Sequence, residues 1–159
     1  MAILVVRHAR AGDRDRWDGP DDVRPLTPRG LVQAEGLVGR LREFTVGRIL
    51  SSPYLRCTQT VEPLAAAYGL SVEPTDDLAE GAGGAASALV LALAGAGDGA
   101  TDVALCTHGD VVFEILDALA ACGVDVPADR PMRKGSTWAL SVEGGRVVGA
   151  RYLDPPNGT

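Results

Sequence analysis

Ile3-Leu4-Val5-Val6-Arg7-His8 and Val103-Ala104-Leu105-Cys106-Thr107-His108 decide how this chain folds. Each is a short apolar run bounded by a polar turn, the pattern of a strand buried on both faces. The chain has only two histidines, and each stands where one of these runs gives way to a turn. In open α/β sheets, ligands bind in the crevice beyond the carboxyl ends of the strands. Two imidazoles there, one directly after Arg7, point to a single site that handles an anion.

Working outward from these runs, residues 9–26 are polar and rich in Arg, Asp, Gly and Pro, which predicts a loop. Thr27-Pro28 reads as an N-cap followed by proline at the first helical position. Leu31, Ala34, Leu37, Val38, Leu41 and Phe44 then recur at helical spacing, with Arg29, Gln33, Arg40 and Glu43 on the other face. A short strand over 47–50 ends at Ser51-Ser52-Pro53. A helix from Tyr54 to Gly69 follows, and Pro63 should kink or weaken it. The pattern continues with a strand over 70–73, a loop over 74–84 and a helix over 85–94. Val112, Ile115, Leu116 and Leu119 mark the inward face of a helix after His108, with Gly123 as its cap. Two β-rich runs, 136–143 and 146–153, are joined by Gly144-Gly145, the spacing of a two-residue hairpin. Strands alternating with helices and closing on a hairpin predict an α/β fold of three layers. Its central, mostly parallel mixed sheet would carry helices on both faces. A single domain over 1–154 and a frayed tail over 155–159 are expected.

Composition sets further bounds. A chain of 159 residues fits one domain with a sizeable core, and 46% hydrophobic content excludes a disordered chain. A net charge of −6 argues against a nucleic-acid polymer or an anionic membrane as partner, though not against a small basic pocket. Cys57, Cys106 and Cys122 are odd in number and lack metal or redox spacing, and Cys106 reads as a small core residue. They fit a reducing cytoplasm, the expected location. The amino terminus runs straight into a core strand, so no signal peptide is expected. The stretch over 85–96 is too short and Gly-interrupted to span a membrane.

The candidate chemistry lies at the strand-to-helix junctions. Neighbouring strand residues point to opposite faces, so Arg7 and His8 share a pocket only if the chain turns at the strand end. Arg56 follows Ser51-Ser52-Pro53 at a helix amino terminus, where free N–H groups and the helix dipole favour an anion. A guanidinium can grip a phosphoryl group through two parallel bonds. Gly109 lets the backbone beside His108 approach a bound group closely.

These residues also carry a resemblance. Arg7-His8, Ser51-Ser52-Pro53-Tyr54-Leu55-Arg56-Cys57-Thr58-Gln59-Thr60 and Thr107-His108-Gly109 resemble, in order and separation, the motifs of the histidine phosphatase superfamily, which includes the phosphoglycerate mutases. The resemblance covers nearly the whole chain. With Arg24-Pro25-Leu26-Thr27 and its short length, the chain is similar to the small bacterial SixA-like phosphohistidine phosphatases. Arg133-Lys134-Gly135-Ser136-Thr137-Trp138 resembles the phosphatase domain attached to some Nudix hydrolases, although this sequence has no Nudix domain.

The resemblance implies a phosphoglycerate mutase-like fold and a metal-independent phosphatase without cofactor. His8 would attack phosphorus and become a phosphohistidine, dividing one difficult displacement into two. Arg7, Arg56 and His108 would hold the equatorial oxygens. His8 must be neutral to attack, with its other ring nitrogen donating to a backbone carbonyl. The proton donor would come from the loop after the third strand, with Glu80 ahead of Asp76 and Asp77. Arg24, Lys134 and Gly109 would meet the substrate, either a phosphorylated small molecule or a phosphohistidine protein. The other rim arginines, Arg10, Arg14 and Arg16, read as solvated charges.

Departures from the family pattern narrow the activity. Ala9 stands where the family commonly has glycine, and the Thr and Asn of mutase-like branches are absent after it. No long insertion is present to enclose a sugar acid. These features weigh against a mutase-like phosphotransferase. A non-catalytic phosphate-binding module on the same fold is the alternative class, but all four core residues are retained. Neither Cys57 nor Cys106 has an arginine six residues on, as a cysteine phosphatase requires, and Lys134 lies in no Walker-type loop.

Overall fold

The computed structural model describes residues 1–97 and 100–156. At its centre β1 (Ala2–Arg7) pairs in parallel with β4 (Asp102–Thr107) on one side and antiparallel with β5 (Thr137–Glu143) on the other. β2 (Val46–Ser51) lies parallel between β4 and β3 (Val72–Pro74), and β6 (Arg146–Leu153) closes the other edge against β5. The sheet order is β3-β2-β4-β1-β5-β6. The expected mixed sheet with a terminal hairpin is therefore present. Gly144 and Gly145 make its turn at φ 58° and 74°, a conformation that favours glycine.

Strand alternation divides the core in two. Ile3 and Val5 face one cluster, packed against Ala86 and Val90 of α3 (Gly83–Ala96) and Ile115 and Leu116 of α4 (Gly109–Ala121). Leu4 and Val6 face the other, against Leu37 of α1 (Pro28–Arg40) and Val61 and Leu64 of α2 (Leu55–Tyr68). Both central strands are thus sandwiched, as their unbroken apolar runs require. Each fully buried Leu, Ile or Val contributes about 1.5–3 kcal/mol relative to exposure. β1 continues into α1 on one face and neighbouring β4 into α4 on the other. The crevice opens where the chain diverges, at the carboxyl ends of these two strands.

Three local departures have physical causes. In α1 the Thr27 side chain accepts from Gly30 N as the cap, and Pro28 opens the helix. Leu31, expected to face the core, is 47% exposed, whereas Gln33, expected on the polar face, is buried. The start of α1 meets backbone rather than side chains: a Cβ at Gly30 would lie 2.0 Å from the Arg10 carbonyl oxygen. Gln33 serves that backbone, accepting from Arg10 N at 2.9 Å and donating to the Lys134 carbonyl at 3.1 Å. No apolar residue could satisfy both groups.

α2 runs through Pro63 and ends at Gly69, φ 65°. Leu70 N donates back to the Ala65 carbonyl, so Leu70 belongs to the helix cap and β3 starts later than expected. α3 starts at Gly83, ahead of the expected 85, because only a glycine clears the Glu114 side chain of α4 there. In the tail, Pro155 and Pro156 are buried rather than frayed, while 157–159 lie outside the described residues.

Candidate active site

The turn that brings Arg7 and His8 together is fixed by backbone bonds on both sides. His8 N donates to the Thr107 carbonyl at 3.0 Å, and Gly135 N donates to the Arg7 and His8 carbonyls, each at 3.1 Å. Ala9 N donates to Thr60 Oγ1 at 2.9 Å, and Thr60 Oγ1 donates to the Arg56 carbonyl, which ties the turn to α2. Ala9 is fully buried and packs with Ala11, Leu26 and Ala34. Its methyl group is therefore a core group of this chain, where the family commonly carries glycine.

Both imidazoles are buried, their ring centres 5.5 Å apart. His8 Nδ1 donates to its neighbour's carbonyl, Ala9 O, at 2.7 Å, leaving the Nε2 lone pair uncommitted. Burial, the neighbouring His108 and the charges of Arg56 and Arg7 hold the His8 pKa down to about 3, against the opposing pull of the Ala9 bond. His8 is thus neutral at physiological pH, with Nε2 unprotonated.

His108 is anchored the other way round. Its Nε2 lies 2.9 Å from Ser52 Oγ and 3.5 Å from Cys57 Sγ, and Tyr54 packs edge-on to its ring at 4.8 Å. Ser52 Oγ accepts from Tyr54 N, and we assign its own proton to Nε2. That assignment places the His108 proton on Nδ1.

The two imidazoles line a cleft of about 560 Å³ with Arg7, Arg24, Arg56, Glu80, Gly109 and Lys134. Arg56 is completely buried at the start of α2. Its Nη1 donates to the Asp21 carbonyl at 2.8 Å and its Nη2 to Asp21 Oδ2 at 3.0 Å. Arg24, also buried, donates from Nε to Asp21 Oδ1 at 3.0 Å and from Nη1 to the Gly12 carbonyl. Burial pushes the Asp21 carboxyl up, but the bonds from Arg24 and Arg56 and the charges of Arg56 and Arg14 together hold it below its ordinary value. Arg7 Nη1 donates to the Met132 carbonyl at 2.6 Å.

Gly109 has a different use from the expected one. A Cβ there would lie 2.9 Å from Arg7 Cζ, so the glycine makes room for the Arg7 guanidinium. Of the three carboxylates weighed from sequence, Glu80 lines the cleft, while Asp76 and Asp77 are exposed in a short 3-10 turn. Glu80 is not enclosed: its side chain is 33% exposed, and Oε1 accepts from Arg14 Nη2 at 2.8 Å. Its Oε2 lies 3.7 Å from Arg56 Nη2. Asp110 also lines the cleft and accepts from Gly81 N at 2.9 Å. Lys134 sits exposed at the rim.

Sequence reasoning passed over Asp21, Gln33, Ser52 and Tyr54. Asp21 is one of several aspartates in a polar loop, with nothing to single it out. Ser52 did carry a signal, standing between a strand end and a helix-opening turn. Among the described residues, no group of three or more His, Cys, Asp or Glu is placed to hold a metal, and no helix is long and apolar enough to cross a membrane.

The histidine phosphatase superfamily (branch 1) matches residues 3–92, a span that includes His8, Arg56 and Glu80. An 8-oxo-(d)GTP phosphatase of Mycolicibacterium smegmatis is 38% identical over 98% of this chain, which spans about half of that relative (48%). The protein histidine phosphatase SixA complexed with tungstate superposes with a TM-score of 0.76 at 23% identity, over 98% of this chain and 96% of that one. A SixA from Agrobacterium tumefaciens, described as a putative phosphohistidine phosphatase, gives 0.63 at 26% identity, over 97% of each chain. With this fold and this match, the chain belongs to the histidine phosphatase superfamily, branch 1.

Proposed function

We propose that this chain is a phosphatase that passes a phosphoryl group first to His8 Nε2 and then to water. One observation carries this reading. Arg7 Nε, Arg56 Nε and His108 Nδ1 are buried without a hydrogen-bond partner among the described residues, and all three belong to residues lining the cleft. Proteins leave few buried polar atoms unpaired, so such a set at one site calls for an outside acceptor. A phosphoryl group has oxygens enough for all three.

The Nε2 lone pair of neutral His8 attacks phosphorus, and the bond to the leaving oxygen breaks, its electron pair staying on that oxygen, which takes up a proton from solvent where it leaves as an alkoxide. Arg7, Arg56 and His108 take the charge on the equatorial oxygens. Water then cleaves the P–N bond, releasing orthophosphate and returning neutral His8. Glu80, expected from the sequence as proton donor to the leaving group, is assigned instead to taking the proton of that water, since both its oxygens face guanidinium groups. Arg24 is assigned to holding the cleft's shape through Asp21 and Gly12, and Lys134 to meeting the substrate at the rim. No step calls on a metal or cofactor.

The substrate assigned is a phosphorylated small molecule rather than a phosphohistidine protein. The 38% identical relative bears the name of a nucleotide phosphatase, and the cleft is lined by several cations. We place the activity in the cytoplasm, in keeping with three free cysteines. The test is an assay in EDTA of the wild type beside His8→Ala. Substrates are an aryl phosphate, a panel of nucleotides and sugar phosphates, and a phosphohistidine protein. Turnover by the wild type, lost in the variant, is expected. Full activity in His8→Ala would rule the mechanism out.

A further inference from the structure

Besides Arg7, whose guanidinium bonds the Met132 carbonyl, the cations at the cleft and just behind it fall into two sets. Arg14, Arg24 and Arg56 are each paired with Asp21 or Glu80. Lys134 and Arg10 are in no ion pair among the described residues. Arg14, Arg24 and Arg56 are thus neutralised from within the chain, while Lys134 and Arg10 are not. We propose that Lys134, with Arg10 behind it, forms a second anion subsite. It would take the inner phosphate of an organic diphosphate whose terminal phosphoryl goes to His8. This deepens, and rests on, the phosphohistidine reading above.

The subsite is built rather than incidental. Arg10 and Lys134 are far apart in sequence, yet the buried Gln33 side chain bonds both their backbones, accepting from Arg10 N and donating to the Lys134 carbonyl. The next residue, Gly135 (φ 85°), donates its N–H to the Arg7 and His8 carbonyls, so Lys134 is held at a fixed offset from the nucleophile. Burial and then the charges of Arg7, Arg24, Arg10 and Arg56 push the Lys134 ammonium down from its ordinary value. Like charges are therefore crowded at this rim without a carboxylate between them, an arrangement that an added anion relieves.

The leaving group gives independent support. Both Glu80 oxygens face a guanidinium, Oε1 that of Arg14 and Oε2 that of Arg56, so neither is turned free toward a leaving group. An alcohol leaving group needs a proton. The inner phosphate of a diphosphate does not, because a phosphate monoester has a second pKa of about 6 and leaves as a stable anion. As Nε2–P forms, the bond from the terminal phosphorus to the bridging oxygen breaks. The electron pair stays on the departing monophosphate. Water then releases orthophosphate from His8.

The experiment measures kcat/KM for ADP, AMP, 3-phosphoglycerate and p-nitrophenyl phosphate with wild type, Lys134→Met, Lys134→Arg and Arg10→Gln. The wild type is expected to favour ADP over AMP by about tenfold or more, the worth of one charge-assisted contact. Lys134→Met should collapse that ratio, mainly through KM for ADP; Arg10→Gln should lower it; and Lys134→Arg should keep it within about threefold. Equal use of ADP and AMP would overturn the proposal. So would a ratio unmoved by Lys134→Met, or a Lys134-dependent preference for 3-phosphoglycerate, whose second anion is a carboxylate. In each of these cases turnover that depends on His8 leaves the phosphohistidine reading standing, whereas a wild type inactive on every substrate overturns both.

Discussion

The two histidine junctions are built alike and wired in opposite senses. Each imidazole follows a buried parallel strand and opens onto one cleft. His8 ties Nδ1 to a backbone carbonyl and leaves Nε2 free. His108 ties Nε2 to Ser52 and leaves Nδ1 without a partner. A ring held by Nδ1 offers a lone pair, and a ring held by a hydroxyl proton at Nε2 offers an N–H. The residues that follow differ too. Ala9 has its methyl buried among other apolar groups, while Gly109 has no space for one beside Arg7. In the mechanism proposed, one residue type in one setting serves as attacking base or as electrostatic donor according to which nitrogen the neighbours occupy.

The largest expected effect separates the pair. His8→Ala should lower kcat by about 10⁴-fold or more, since no other group at the site can form the intermediate. His108→Ala removes one donor to the transition state and should cost about 10²–10³-fold. Circular dichroism on both variants would show that the fold is kept. Gly109→Ala should cost about tenfold or more in kcat/KM, because its Cβ lies 2.9 Å from Arg7 Cζ and must displace the guanidinium. The complementary change, Ala9→Gly, should reduce stability by about 1 kcal/mol and have far less effect on rate.

Ser52→Ala sharpens the contrast on a smaller scale. It should lower kcat by about tenfold through loss of the His108 tautomer. The double variant Ser52→Ala/His108→Ala should be no slower than His108→Ala alone. Additive losses would mean that Ser52 acts by some route other than His108.

The smallest effect is on the acid limb. An ordinary imidazole takes a proton near 6.5, but folded His8 does so only near about 3. Between these values the unfolded chain binds the extra proton. Stability should therefore fall as pH falls, by at most about 1.4 kcal/mol per unit from this group, and this slope should vanish in His8→Ala. Imidazole NMR should show the His8 signals unmoved from pH 8 to 5. A midpoint near 6.5 would mean that His8 is not buried as described.

What was legible in the sequence follows from how each feature is encoded. Both central strands could be read to the residue, because burial on two faces leaves an unbroken apolar run. The Gly-Gly hairpin was equally plain, since the turn chemistry is local. Arg7, His8, Arg56 and His108 were findable because each sits at a junction. Gln33 and Asp21 were not, because partners that define them lie in distant segments: Gln33 bonds Arg10 and Lys134, and Asp21 bonds Arg56. Helical spacing assigned Leu31 inward because it counts apolar residues. It is blind to a glycine pressed against a carbonyl, as Gly30 is.

The central claim concerns one atom, and trapping tests it most directly. The wild type would be mixed with excess ADP or aryl phosphate and quenched in alkali, where phosphohistidine survives. Peptide mass spectrometry and ³¹P NMR would then locate the phosphoryl group. The expected result is phosphorylation of His8 at Nε2, formed and discharged at rates consistent with turnover. Phosphorylation of Nδ1, of His108 or of a cysteine would contradict it, as would single-turnover hydrolysis with no phosphoenzyme at all.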